Sequence, residues 1–336
     1  MATIGLAHTL SDLQNILNPD GSIARVMEIL NESNPMMEDI MWEEGDLPIG
    51  TKTVIRTALP SPNIRRINRG TPNTKGATRQ IIDVCMHLED RSLIDVELLS
   101  GKPNPAAYRM AEDDAHVEGI AQYVARQFLY GDLEKDPDTF NGFMPRYNTL
   151  KDLGKGSVGH QVISAGTANS NGKNGSIWFV DWGDNRVVGI YPKGTQAGLK
   201  KQDLGENDVL DKDGNAYRAL QTLYSYKCGL AVKNVRSVVR VCNIDMATID
   251  NLTDAQAKKL VDRFVYAKNR LWMPKNPVAY VSGDLYSWFE CYLTNKNNIH
   301  VTRDQVMGSA PVLRFNGIQL KKMDCMEDTE AAVTEQ

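Results

Sequence analysis

The residue types that could carry out chemistry are present in this chain, but their spacing does not form an active site. Lys193 to Lys201, KGTQAGLKK, places glycines beside lysines, as phosphate-binding loops do. It lacks the four-residue gap between glycines and the Lys-Ser/Thr ending with which such loops wrap a phosphate. No GxSxG motif offers a nucleophile. We interpret this stretch as a basic surface turn.

Metal ligation is not favoured either. The five histidines are scattered without an HExxH motif: His8, His87, His116, His160 and His300. The five cysteines are odd in number and include no CxxC pair: Cys85, Cys228, Cys242, Cys291 and Cys325. This pattern is typical of free buried thiols in a reducing compartment. We therefore expect no metal, no cofactor and no disulfide.

Acidic groups could in principle supply acid and base catalysis. The chain has such groups at Glu43-Glu44 and at Glu112-Asp113-Asp114. Catalysis needs two carboxylates in different environments, whereas clustered exposed acids titrate normally. The sequence therefore predicts no catalytic residue, and we expect a protein that is not an enzyme.

One charge pattern does indicate a function. A cluster of cations follows the first apolar segments: Arg65, Arg66, Arg69, Lys75 and Arg79. It could contact nucleic acid, or it could dock on an acidic face of a neighbouring subunit formed by Glu112, Asp113 and Glu118. Aromatic residues that would stack on bases are absent from the cluster. We favour subunit docking.

The acidic residues lie on a segment whose pattern predicts one long helix, 105–130. Asn104 suits the N-cap, Pro105 suits the first helical position, and Gly131 is expected to supply a left-handed closing residue. At 1.5 Å per residue this helix would run roughly 40 Å. Its apolar residues recur at three- and four-residue steps: Ala107, Met110, Val117, Ile120, Ala121, Val124 and Phe128.

The cations lie within a predicted hairpin. Two β-rich runs, Thr51 to Leu59 and Arg79 to His87, flank a stretch rich in Pro and Gly. We predict a long two-stranded ribbon with a mobile, basic tip, held by something outside its own domain because isolated hairpins are marginal. Residues 1–43 are predicted to be an arm whose short apolar helix also needs another surface.

The rest of the chain predicts mixed α/β structure. The expected strands are Ser176 to Trp182, Val187 to Tyr191, Ala219 to Tyr226, Leu230 to Cys242 and Val278 to Val281. Asp184-Asn185 is a predicted turn, and Cys228-Gly229 a predicted break. Thr253 and Gln256 form a capping-box pattern before a second helix, and Ser282 is expected to cap a third. Val312 to Leu320 reads as a tight hairpin broken at Asn316-Gly317, and the acidic tail after Met326 is expected to fray.

Composition limits the class of protein. The chain has 336 residues, enough for two domains, with a formal net charge of -4. That charge argues against a protein that grips nucleic acid over its whole surface. The N-terminus lacks the pattern of a signal peptide, and no apolar run approaches the ~20 residues that span a bilayer. We expect synthesis and assembly in cytosol, with no membrane partner.

The order of an arm, a long hairpin, a long helix and a mixed α/β region resembles the major capsid proteins of tailed double-stranded DNA phages, which have the Hong Kong 97-like fold. Four segments carry the resemblance: Ser176-IWFVDWGDNRVVGIYPKG, Thr222-LYSYKCGLAVKNVRSVVRV, Val278-AYVSGDLYSWF and Val312-LRFNGIQLKKMD. The last two usually precede the first two in such proteins. Their order here resembles the permuted subgroup of the fold found in short-tailed phages.

The resemblance implies an α+β fold with named parts. These are an N-terminal arm (1–43), an E-loop hairpin (44–84), a P-domain (85–157 with 216–243) that contains the spine helix 105–130, an A-domain (158–215 with 244–326) and a C-terminal tail (327–336). The permutation leaves the A-domain assembled from two separated pieces.

The resemblance also implies a function. Copies of the chain would form pentamers and hexamers of an icosahedral shell in the virion, around packaged double-stranded DNA that is bound without sequence specificity. The E-loop of one copy would lie across a neighbour's spine helix. Expected partners are a separately encoded scaffolding protein and a portal protein, and a decoration or cement protein is a further candidate. Two alternatives stay open: an encapsulin-like cellular nanocompartment and a cytosolic α/β enzyme with an unrecognised site.

Overall fold

The computed structural model describes residues 34–100, 105–166, 168–211, 213–294, 301–304 and 312–335. These residues form two compact units. The larger unit comprises residues 34–86, 125–196 and 228–335, and the smaller unit comprises His87–Val124 and Ala197–Lys227. The helix predicted around Ser22 and the predicted cap Asn104 lie outside the described residues.

The first half of the chain contains most of the short helices and the longest strand. Its elements are α1 (Met36–Asp39), β1 (Trp42–Glu44), β2 (Gly50–Ala58), β3 (Ala77–Asp95), α2 (Val96–Leu99), α3 (Pro105–Tyr130), α4 (Phe143–Arg146), β4 (Val162–Ser164), β5 (Asn174–Asp181) and β6 (Val187–Tyr191).

The second half alternates strands with two further helices. Its elements are β7 (Lys200–Leu210), β8 (Ala216–Val232), β9 (Val238–Asp245), α5 (Asp254–Arg270), β10 (Pro277–Val281), α6 (Gly283–Thr294), β11 (Val301–Asp304), β12 (Val312–Phe315) and β13 (Ile318–Lys322). Short 3-10 helices lie at Gly159–Gln161, Val235–Ser237 and Met246–Asn251.

A seven-stranded mixed sheet forms the main core of the larger unit, in the order β11-β12-β13-β10-β5-β9-β4. Every residue of β5 is buried, which explains its nearly continuous apolar sequence. Phe264 of α5 lies at the centre of an aromatic cluster, with ring centroids 4.5 Å from those of both Phe179 and Phe315. The edge-to-face geometry of these rings stabilises the packing of α5 on the sheet.

Local signals in this region are confirmed. Thr253 and Gln256 form the predicted capping box of α5, and its apolar residues Ala257, Leu260, Val261, Phe264 and Leu271 are buried. Asn316 and Gly317, with φ of 48° and 85°, make the predicted tight turn between β12 and β13. Both central residues need left-handed backbone, which Asn and Gly adopt at low cost.

A second group of strands in the larger unit follows the order β1-β6-β8-β3-β2. β2 and β3 form the predicted antiparallel ribbon, with Gly50 opposite Val84. In the smaller unit, β7 pairs antiparallel with β8, with Lys200 opposite Ser225. The sequence did not predict β7 as a strand, because its residues are polar and mostly exposed and its pairing with β8 is what makes it extended.

Two strand predictions are wrong in detail. β8 continues through Cys228 and Gly229, and the break comes later, at the 3-10 helix Val235–Ser237. A side chain at position 229 would place its Cβ 2.5 Å from the Val84 carbonyl oxygen, so this glycine permits close strand approach rather than a turn. The predicted turn at Asp184-Asn185 is confirmed, and the two strands that it connects, β5 and β6, belong to different sheets.

Helix α3 has the predicted bounds, but its surroundings differ from the prediction. Met110 and Val117 are exposed, whereas Ile120, Val124 and Phe128 are buried. Gly131 does not have a positive φ. A Cβ there would lie 2.5 Å from the Phe140 carbonyl oxygen, so the glycine is needed for close approach of the backbone.

The tail and the end of the arm fold onto their own subunit, contrary to prediction. In the tail, the Glu330 amide donates to the Asn174 carbonyl at 2.9 Å, and Val333 is buried. In the arm, Met36 is buried, and Asp39 pairs with Lys321 at 2.5 Å. The prediction that the arm needs a surface outside its own subunit is therefore wrong for residues 36–43, and residues 1–33 lie outside the described part.

Candidate assembly surfaces

The β2–β3 ribbon is fixed at its base. Asp83 of β3 is buried and pairs with Arg146 at 2.7 Å. Arg146 also donates to the carbonyl oxygens of Leu230 and Asn141, at 3.1 and 3.0 Å. Because a buried carboxylate and a guanidinium with several acceptors hold each other in one geometry, the base of the ribbon is rigid.

The described residues of the subunit do not cover the tip of the ribbon, residues 59–76. Every residue from 59 to 75 is exposed, including Ile64 at 95% and Ile67 at 91%. Isoleucine side chains that are almost fully in water contribute almost no hydrophobic free energy to the folding of the monomer. The tip is therefore uncovered within the described residues, and the prediction that something outside its own domain holds the ribbon stays a prediction.

The five predicted cations all lie on this ribbon and are all exposed: Arg65, Arg66, Arg69 and Lys75 in the tip and Arg79 at the start of β3. None of them forms an ion pair with another residue of the described ranges. The tip therefore combines two exposed isoleucines with four positive charges. Sequence reasoning identified the charges but missed Ile64 and Ile67, although the alternation of Ile with Asn and Arg in NIRRIN was visible.

The structure separates the three predicted acidic residues of α3. Asp113 is buried inside the smaller unit, where the Tyr224 hydroxyl donates to Oδ1 and Lys201 pairs with Oδ2. Glu112 and Glu118 are half-buried, and the Gln122 side chain donates to Glu118 at 2.9 Å. Asp113 therefore holds its own subunit together, and Asp114 is the exposed acid beside it.

Asp113 belongs to a polar cluster of the smaller unit. Arg109 pairs with Asp203 at 2.6 Å and donates to Thr222 at 2.9 Å. The hydrogen bond between Arg109 and Asp203 raises the pKa of the arginine and lowers the pKa of the carboxyl. Burial, followed by the hydrogen bond to Asp113, raises the pKa of the Tyr224 hydroxyl. These pKa shifts favour the charged arginine, the charged carboxylate and the neutral tyrosine, which are the forms present at neutral pH. The cluster is therefore a structural tie between α3, β7 and β8.

The second buried cluster lies in the larger unit around Arg240, which is fully buried. Its guanidinium pairs with Glu330 at 2.9 Å and donates to Ser176 Oγ at 3.1 Å and to the Tyr147 carbonyl at 2.9 Å. It also lies 5.0 Å above the centre of the Trp178 ring. Each nitrogen of the Arg240 guanidinium has a hydrogen-bond partner, as a buried charge requires.

Within the described ranges, no three His, Cys, Asp or Glu side chains lie close enough to hold a metal ion. No helix of these ranges is long and apolar enough to cross a membrane. Among the exposed surfaces of the described residues are the ribbon tip and one face of α3, which carries Met110, Asp114 and Val117.

A long helix, a projecting ribbon and a mixed α+β core together make up the Hong Kong 97-like fold of phage capsids, and the chain is a capsid shell protein of this class. The chain belongs to the family of major capsid protein GP7, whose model matches residues 18–334. No curated protein matches the sequence.

The similarity of this chain to solved structures varies in extent. A structure of bacteriophage Epsilon15 is similar with a TM-score of 0.76 and 27% identity, over 99% of each chain. The bacteriophage JBD30 capsid is similar with a TM-score of 0.48 and 9% identity, over 89% of this chain and 93% of that one. The SrpI encapsulin of Synechococcus elongatus PCC 7942 gives a TM-score of 0.43 and 10% identity, over 71% of this chain and 97% of that one.

Several expectations stay predictions. The family match supports a capsid protein over the encapsulin-like alternative. The permuted strand order, the P-domain and A-domain boundaries and the subunit-contact residues are not tested by these comparisons.

Proposed function

We propose that copies of this chain form the pentamers and hexamers of an icosahedral shell around packaged double-stranded DNA, and that the ribbon tip of one copy docks on α3 of a neighbour. The observation that carries the proposal is the exposure of Ile64 and Ile67 on a ribbon with a rigid base. A ribbon that gains nothing from its own subunit is stabilised only when another surface covers it.

Both components of the tip have a counterpart on α3. Met110, 67% exposed, and Val117, 40% exposed, offer apolar surface to Ile64 and Ile67. Asp114, Glu112 and Glu118 give this part of the helix a negative charge, opposite to the cations of the tip. Complementary charges around an apolar centre fix the register of an interface, while the apolar contact supplies most of its free energy. Asp113 contributes by holding α3 in place.

Each docked ribbon would be a modest contact. Exposed ion pairs contribute roughly 0–1 kcal/mol each, so charge alone does not hold two subunits together. In a shell, each subunit both donates and receives a ribbon, and the contacts sum over many copies. Weak individual contacts also allow misplaced subunits to dissociate during assembly.

The remaining partners follow from this role. We infer that the shell assembles in the host cytoplasm with a separate scaffolding protein and a portal protein, and that a decoration protein is a candidate for its outer surface. The net charge of -4 supports an interior that does not bind DNA tightly or by sequence. The burial of both polar clusters in structural ties supports a protein without catalytic activity.

Charge exchange tests the docking of the ribbon. Arg66→Glu with Arg69→Glu should abolish shells seen by electron microscopy, and Asp114→Arg with Glu118→Arg should do the same. Combining the four changes should restore assembly. Lys135→Glu, at a lysine that is 83% exposed, is the matched control and should assemble normally. Shells of normal yield from either pair of reversals, with monomers of normal circular dichroism, would refute the docking.

A further inference from the structure

We propose that two rigid turns of the larger unit form a head-to-tail contact between neighbouring copies of this chain. The first, residues 271–276, displays Trp272 and Met273 beside Arg236. The second, residues 46–50, displays Ile49 beside Asp46. The inference rests on the proposed function, because a protein that forms closed rings needs two different complementary patches on each copy.

Contacts with Asp181 and Arg186 hold the first turn in place. The buried carboxylate of Asp181 accepts hydrogen bonds from the backbone amides of Lys275 and Asn276, at 3.2 and 3.0 Å. Arg186 pairs with Asp181 and donates to the Met273 carbonyl at 2.8 Å. The turn is therefore preorganised, and presenting its side chains to a partner costs little conformational entropy.

The side chains that this turn presents suit a protein interface. Trp272 is 44% exposed and Met273 is 71% exposed, and both residue types are enriched at interfaces. Met273 also has a φ of 45°, a left-handed conformation that is unfavourable for residues other than glycine. Such strain persists when the surrounding structure imposes it, and it concentrates at functional sites.

Arg236 gives the first turn a positive charge that lacks a carboxylate. Its Cζ lies 5.6 Å from the centre of the Trp272 ring. Its Nε is buried without a hydrogen-bond partner, and no carboxylate of the described ranges pairs with it. A guanidinium stacked on an aromatic ring binds carboxylates well, because its donors are already oriented.

The second turn has the opposite character. Leu47 and Gly50 close it through a hydrogen bond of 2.9 Å, and the Cys85 amide donates to the Ile49 carbonyl at 2.8 Å. The turn is therefore also rigid. Ile49 is 63% exposed, and Asp46 is exposed and accepts a hydrogen bond from the Thr51 hydroxyl at 3.4 Å, so the turn carries both an exposed aliphatic side chain and an exposed carboxylate. They complement Trp272 and Arg236 in both hydrophobicity and charge.

The two turns lie too far apart to contact each other within one copy. Arg186, which holds the first turn, immediately precedes β6. Gly45, which immediately precedes the second turn, donates its amide to the carbonyl of Tyr191, the last residue of β6, at 2.8 Å. They thus flank opposite ends of a strand of five residues, roughly 15 Å apart. Because each copy carries one patch of each kind at two separate positions, one copy can contact the next head to tail, which is the arrangement from which a ring closes.

The test uses the full-length protein and charge reversal. Arg236→Asp and Asp46→Arg should each reduce the yield of rings and shells at least ~10-fold, measured by sedimentation velocity and electron microscopy. The combined variant should recover most of the yield. Lys258→Glu, a reversal at an exposed lysine of α5, is the control and should assemble like the parent protein.

Two further variants keep the test independent of folding. Trp272→Ser and Ile49→Ser replace exposed side chains, so they should leave the thermal midpoint of the monomer unchanged while lowering ring yield. Normal yield from the single variants, or no recovery in the combined one, overturns this contact. Failure of the parent protein to form rings at all would instead refute the proposed function.

Discussion

Arg240 and Glu330 lie 90 residues apart in the chain, and their side chains meet at 2.9 Å in the interior of the larger unit. Neither side chain is more than 2% exposed. Tyr130 of α3 donates to the other carboxylate oxygen of Glu330 at 3.4 Å, and Ser176 of β5 also donates to Glu330. This one carboxylate joins the tail to α3, β5 and β9.

The position of Glu330 predicts a large loss of stability on its neutralisation. Glu330→Gln leaves the guanidinium of Arg240 buried without its counter-charge, and removal of one partner of a buried pair typically costs about 3–5 kcal/mol. Urea unfolding of the unassembled subunit, followed by tryptophan fluorescence, measures the change in the free energy of unfolding.

The matched control lies three residues earlier in the same segment. Glu327 pairs with Arg126, but both side chains are partly in water. Glu327→Gln should therefore cost less than about 1 kcal/mol. Equal losses at positions 327 and 330 would show that burial of the pair does not control the stability of the tail.

A stabilising change is expected in the middle of α3. A Cβ at Gly119 would meet no atom within 4 Å, so alanine fits without strain. Glycine within a helix is less favourable than alanine by roughly 0.5–1 kcal/mol. Gly119→Ala should raise the free energy of unfolding by about that amount, as measured by chemical denaturation.

The same substitution at Gly131 should act in the opposite direction. There the added Cβ would lie 2.5 Å from one backbone carbonyl oxygen and 2.6 Å from another. Gly131→Ala should therefore destabilise the subunit. A similar gain at both positions would mean that helix propensity alone decides both outcomes.

The parts of the fold that were predictable depend on neighbours in sequence. Helix α3, the capping box of α5 and the Asn316-Gly317 turn need only residues a few positions apart, and all three were predicted correctly. β7 was missed, because a polar segment becomes a strand only when β8 pairs with it. Propensity contains no information on such distant pairing.

The same limit applies to the candidate surfaces. The spacing of apolar residues placed Met110 and Val117 on the stripe of α3, but periodicity does not tell which part of a stripe the subunit covers itself. Asp113 looked like its exposed neighbours in sequence, and Tyr224, 111 residues away, makes it a buried tie. The basic tip was predictable because its charged residues lie close together in sequence. A charged segment can be exposed without contacting any distant residue of the chain.

The tip also allows stability and assembly to be separated. Ile64→Ser with Ile67→Ser should change the free energy of unfolding of the monomer by less than about 0.5 kcal/mol, because both side chains are more than 90% exposed. The same variant should fail to form shells, because it loses the apolar centre of the proposed docking surface. Thermal melts of the monomer and electron microscopy of assembly reactions measure the two effects.

A matched variant replaces buried isoleucine instead. Ile177→Ser and Ile244→Ser remove side chains from the core of the larger unit and should lower the melting temperature itself. If the tip variant also melts at a clearly lower temperature, the tip is covered by its own subunit, and the docking proposal loses its main support.

The last prediction concerns the cysteines of the unassembled subunit. Burial, followed by the charge of Asp83, raises the pKa of the Cys85 thiol to about 12, and burial raises the pKa of Cys242 to about 11 and that of Cys228 as well. At pH 8 these three thiols stay protonated and react slowly with iodoacetamide, since the thiolate is the nucleophile. Cys291 is exposed and should be labelled first.

The same shifts set the behaviour in alkali. An unfolded chain releases its thiol protons near pH 8.5, whereas the native state keeps them until about pH 11 or above. The native state therefore binds more protons in this window, so the free energy of unfolding falls as the pH rises from about 8.5 to 11. Cys242→Ala and Cys228→Ala should flatten this decline. Peptide mapping that finds Cys85, Cys228 and Cys242 labelled as fast as Cys291 at pH 8 would contradict the burial on which both expectations depend.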